Sequence, residues 1–90
     1  MELIWRDSAL ADLETIIAYI ADRNGPAAQR LKSTIDARAE GLTKQPYLYR
    51  AGRVPGTREA VVHPNYILIY RVNADAVEIV SVMHSRQRYP

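Results

Sequence analysis

The chain has ninety residues, 12 Lys/Arg against 10 Asp/Glu, and no cysteine. That length accommodates one small domain, residues 1–90, and excludes a scaffold stapled by disulfides. No apolar run approaches the ~18 residues needed to span a bilayer, and the acidic residues within the first 21 do not suit a secretory leader, so a soluble, cytoplasmic protein is expected.

Charge is placed unevenly. Residues 1–46 hold six Lys/Arg and seven Asp/Glu, a net of −1, and residues 47–90 hold six Arg and three Asp/Glu, a net of +3. Every basic residue of the second half is an arginine: Arg50, Arg53, Arg58, Arg71, Arg86 and Arg88. Their planar forks suit carboxylate or phosphate, so an acidic protein and a nucleic acid are both admissible partners.

Glu2 to Trp5 read as a short strand. Asp7 or Ser8 is placed to cap a helix whose Leu10, Leu13, Ile17 and Ile20 share one face. Asn24-Gly25 reads as a left-handed stop, and Pro26 as the first turn of a second helix. Ala28, Leu31, Ile35, Ala39 and Leu42 form the apolar stripe of that helix, which ends before Pro46. So short a connection predicts an antiparallel helical hairpin.

Residues 47 to 57 read as a loop with two glycines and a proline. EAVVH, YILIYRV and AVEIVSVMH follow as three strands, separated by Pro64-Asn65 and Asn73-Ala74-Asp75, and predict an antiparallel meander. The fold class is therefore α+β, in the order β-α-α-β-β-β, with the hairpin packed on one face of a small antiparallel sheet. Strict alternation sends Tyr66, Leu68, Tyr70 and Val72 to one face and Ile67, Ile69 and Arg71 to the other. In the last strand it groups Val77, Ile79, Ser81 and Met83 against Glu78, Val80, Val82 and His84. Both faces are apolar near their middle and the hairpin covers only one, which predicts a partner for the other.

Four stretches, taken in order, resemble one family. They are SALADLETIIAYIADRNGPAAQRL, TKQPYLYRAGRVPGTREAVV, HPNYILIYRV and VEIVSVMHSRQRYP, with their "Y-x-I-x-Y-R" and "V-x-H-x-R" cores. Together they span almost the whole chain and are similar to the RelE/ParE superfamily, the toxins of bacterial type II toxin–antitoxin modules. The resemblance implies a compact sheet packed by a helical hairpin, and a cognate antitoxin in a hetero-oligomeric complex. It implies one of two activities. ParE-like members, the plasmid stabilisation proteins, poison DNA gyrase. RelE-like members cut mRNA on the ribosome. The opening helix and the ending look more ParE-like, and Val61 or Val62 falls where RelE-like nucleases carry an arginine.

Under the RelE-like reading, His84 is the acid/base, Arg86 stabilises phosphate charge and Tyr89 stacks on a base or donates a proton. Under either reading Arg50, Arg53, Arg58, Arg71, His84, Arg86, Arg88 and Tyr89 are the candidate contacts to target or antitoxin. His63, beside Pro64, reads as a turn residue. Two histidines without cysteine, at no ligand-like spacing, predict no metal and no cofactor. Gly52-Arg53-Val54-Pro55-Gly56 lacks the spacing and the Lys-Ser/Thr ending of a phosphate loop.

Overall fold

The computed structural model describes residues 1–88. Its elements are β1 (Glu2–Trp5), α1 (Asp7–Ala21), α2 (Gly25–Leu42), β2 (Arg50–Ala51), β3 (Arg58–His63), β4 (Tyr66–Val72) and β5 (Ala76–His84). The strands form one sheet in the order β1-β5-β4-β3-β2. Strands β2 to β5 pair antiparallel, and β1 joins the edge of β5 in parallel. The expected α+β class holds, but the sheet is mixed. The helical hairpin lies between β1 and the meander, and this crossover lets β1 run alongside β5.

The core forms where the hairpin stripe meets the sheet. All five residues expected on α2 are buried: Ala28, Leu31, Ile35, Ala39 and Leu42. They meet Ala60 and Val62 of β3, Leu68 and Tyr70 of β4, and Val77, Ile79 and Val82 of β5. Helix α1 differs from the expected stripe. Ala9 is fully buried and Leu10 is exposed, while Leu13, Ile16, Ile17 and Ile20 pack on the core. Ala9 has almost no side chain, so it brings α1 close to the sheet and turns Leu10 outward.

Neither Asp7 nor Ser8 caps α1, whose N-cap, Arg6, makes no capping side-chain bond. Asn24-Gly25 is not a left-handed stop either. Asn24 is extended and caps α2 by accepting from the Ala27 N–H at 3.0 Å, while α1 closes on the Ile20 carbonyl. Among the described residues, positive φ occurs only at Gly56 (φ 82).

Strand β5 does not alternate throughout. Ile69 pairs with Ser81 while Tyr70 pairs with Ile79, so Val80 is an extra residue, a β-bulge. Downstream side chains exchange faces. Val82 joins the helix-side core, and Met83 joins Val80, Ile67 and Ile69 on the opposite face. His84, expected on the face of Glu78, instead pairs with Tyr66 on the helix side.

A bulge leaves ladder groups without strand partners, and α1 supplies them. Ser8 Oγ donates to the Val80 carbonyl at 2.8 Å, and Asp12 Oδ2 accepts from the Val82 N–H at 3.1 Å and from Ser81 Oγ at 2.7 Å. Ser8 and Asp12 are four residues apart, on one face of the helix. The face away from the helices is less bare than expected. Ile67, Ile69 and Met83 are buried, leaving Val61 and Ile4 as its exposed large apolar residues.

Candidate functional site

The candidate residues do not gather into one site. They divide between the two ends of β4. At about 3.4 Å per residue, Tyr66 and Arg71 stand about 17 Å apart along that strand.

At one end are the close of β3, the start of β4 and the close of β5. The His63 and His84 rings flank Tyr66, at centroid distances of 5.7 and 5.4 Å. His84 Nδ1 accepts the Arg86 N–H at 3.1 Å, and His63 Nδ1 accepts the Asn65 N–H at 3.0 Å. Each neutral ring therefore carries its proton on Nε2, the nitrogen left for an outside partner. The segment after β5 is tied down. Ser85 N–H donates to the Asn65 carbonyl at 2.7 Å, and Ser85 Oγ to the Pro64 carbonyl at 3.1 Å. Beyond it Arg86, Gln87 and Arg88 are exposed. Tyr89 lies outside the described residues. A shallow groove of about 310 Å³ opens beside His84 and is lined by Thr15, Ile16 and Tyr19 of α1 and by Tyr66 and Gln87. His63 and Tyr66 were not among the residues assigned from sequence. His63 reads there as a turn residue, and only the pairing register shows both histidines against the same tyrosine.

At the other end, Glu59 organises the arginines. It lies opposite Ile69 on the face away from the helices and is 2% exposed. Its carboxylate accepts from Arg50 Nη2 at 3.1 Å and from the Arg53 backbone N–H at 3.2 Å, with Arg53 Nε at 3.6 Å. Burying a carboxylate is costly unless it is paired and hydrogen-bonded, and here it is both. Arg58 turns to the loop before β2. Its Nη1 donates to the Tyr49 carbonyl at 2.7 Å, and its guanidinium lies 4.9 Å from the centre of the Tyr47 ring. Behind it Tyr70, wholly buried, donates its hydroxyl to the Pro46 carbonyl at 2.7 Å. Burial pushes the Tyr70 hydroxyl above its ordinary pKa of 10.0, against the opposing charge of Arg58. Arg71 reaches Gly56. A Cβ on Gly56 would stand 2.8 Å from Arg71 Nη1.

No helix among the described residues is long and apolar enough to cross a membrane. Nor does any group of three or more His, Cys, Asp or Glu among them form a metal-binding cluster.

Residues 3–89 match the family described as the ParE toxin of the type II toxin–antitoxin system parDE. The chain belongs to the ParE toxin family. As a ParE-family toxin it implies a cognate antitoxin as partner. The protein named "Putative toxin Y4kP" of Sinorhizobium fredii is 39% identical over 87 residues, covering 96% of this chain and 90% of that one. Toxin RelE2 of Caulobacter vibrioides is 34% identical over 84 residues, covering 93% and 94%. Among solved structures, a chain from the chromosomal ParDE system of P. aeruginosa superposes with a TM-score of 0.81 at 24% identity, covering 93% of this toxin and 95% of that chain. That likeness matches the fold of two helices on a five-stranded mixed sheet.

Proposed function

We propose that this ParE-family toxin acts in the cytoplasm by binding and inhibiting DNA gyrase, and that its antitoxin relieves the inhibition. The observation that supports binding over cleavage is the sheet face away from the helices. Its centre is Ile67, Ile69, Met83 and Val80. Its carboxylates Glu59 and Glu78 are both ion-paired, Glu78 with Arg6 at 2.7 Å. Val61, which is exposed, or Val62, which is buried, falls where the RelE-like pattern has an arginine. Cleavage of RNA needs a base for the 2′-hydroxyl, an acid for the leaving 5′-oxygen and cations around one phosphate. Here the histidines occupy one end of β4 with Arg86 and Arg88, and the other four arginines of the second half lie at the opposite end.

A second reading, ribosome-dependent cleavage of mRNA, draws on His84. Its Nδ1 is pinned, its Nε2 is open, and Arg86 and Tyr66 are beside it.

Induced expression separates the two. Gyrase inhibition is expected to give filamentous cells and a DNA-damage response with intact mRNA. Prompt translation arrest with cut mRNA would replace it by the second reading. His84→Ala adds a quantitative arm. A nuclease using His84 for proton transfer loses about 10²–10⁴-fold in rate. A binding surface loses one contact, about 1–2 kcal/mol.

A further inference from the structure

The geometry points to the Arg58–Arg71 corner as a docking site for an acidic peptide segment, which under the function proposed above is the antitoxin's. Arg50, Arg53, Arg58 and Arg71 lie at this end of the sheet, Arg58 opposite Tyr70 on the helix side and Arg71 on the other face, and Glu59 is paired with Arg50 and Arg53. The corner thus keeps an excess of positive charge. Arg58 uses Nη1 on neutral carbonyls and has no carboxylate partner among the described residues. Glu78, the acid opposite Arg71 in the register, is taken by Arg6. Arg71 therefore also lacks a carboxylate partner among the described residues.

The corner is built rather than incidental. Gly56 has a left-handed φ of 82 and no Cβ, and both features let the Arg71 guanidinium lie against it. Glu59 anchors the Arg53 backbone, and the Gly52 N–H closes the loop on the Thr57 carbonyl at 2.7 Å. A recess of about 310 Å³ opens between the loops, walled by Tyr47, Ala51, Gly56, Thr57, Arg58 and Val72. Tyr47 and Leu48 beside it are 65% and 64% exposed. A recess that joins the Arg58 guanidinium to mixed polar and apolar walls, with Arg71 lying against Gly56 at its rim, suits a carboxylate on an aliphatic stem. Exposed tyrosine and arginine together are the composition of protein-binding hot spots. The walls favour a peptide over a nucleic-acid backbone, which would need a longer basic track than one corner.

The test is the affinity of the full-length toxin for its co-purified antitoxin at low and high ionic strength. Arg71→Gln is expected to weaken binding roughly tenfold at low salt and to flatten the salt dependence. Arg71→Lys, which keeps the charge, is expected to restore part of both. Gly56→Ala displaces Arg71 without removing its charge and is expected to weaken binding while the far-ultraviolet spectrum stays unchanged. Unchanged affinity and salt slope in Arg71→Gln and Gly56→Ala would overturn the assignment. So would tighter binding of a single-stranded oligonucleotide at this corner than of the antitoxin. A wild-type toxin that binds no antitoxin would instead overturn the function proposed above.

Discussion

Tyr70 shows how much one side chain sets at the residue scale. It is wholly buried, packs in the main core, and ties the loop at Pro46 to the middle of the sheet through a 2.7 Å bond. Because its folded pKa lies above the ordinary 10.0, the neutral hydroxyl is the form that folding favours. Its contribution to stability is fully present below pH 10 and is lost as pH rises through the raised value. Stability measured by urea unfolding is therefore expected to fall above pH 10, and Tyr70→Phe is expected to fall less steeply there. At neutral pH the same substitution leaves the Pro46 carbonyl without its partner and is expected to cost about 1–2 kcal/mol. A Tyr70→Phe variant with the wild-type slope above pH 10 would show that Tyr70 is not the source of the pH dependence. The "Y-x-I-x-Y-R" wording marks this tyrosine, but its partner is 24 residues away and no local pattern signals it.

At the scale of elements, α2 was legible residue by residue because Leu31, Ile35 and Leu42 fix its stripe and Ala28 and Ala39 fall on it at three- and four-residue spacing. In α1 the spacing of large apolar residues pointed to Leu10, whereas the contact face begins at Ala9. Small residues at close helix–sheet contacts carry little weight in an apolar periodicity. The bulge at Val80 was illegible for a different reason. Its sequence, EIVSV, contains no glycine and alternates acceptably in either register. What specifies the bulge lies 68 to 72 residues earlier, in Ser8 and Asp12, which bond the groups it frees. Ser8→Ala with Asp12→Ala is therefore expected to lower stability by about 2–4 kcal/mol, since three hydrogen bonds at a half-buried bulge lose their partners. Thermal unfolding checks this. A double variant as stable as the wild type would mean that the strand holds its bulge unaided. The consequence reaches the candidate site, because the bulge is what brings His84 round to Tyr66.

At the scale of the molecule, the charge asymmetry of the two halves survives folding and gains a location. The helical half is near neutral, and the arginine-rich half carries its charge at two ends of β4 rather than in one basin. Sequence reading gathered His84, Arg86, Arg58 and Arg71 into a single candidate set because position along the chain does not show which end of an antiparallel meander a residue reaches. The pairing register divides them: one end presents histidine Nε2 atoms around a tyrosine, the other a braced arginine corner. Under the two proposals above, the arginine corner is the surface offered to the antitoxin, which leaves the histidine end and the sheet face away from the helices for the target.

The central claim is inhibition of gyrase by binding, and a supercoiling assay with purified gyrase and relaxed plasmid tests it most directly. Stoichiometric toxin is expected to block supercoiling, antitoxin is expected to restore it, and ribosome-bound mRNA is expected to stay intact at the same toxin concentration. Undiminished supercoiling together with cut mRNA would contradict the account.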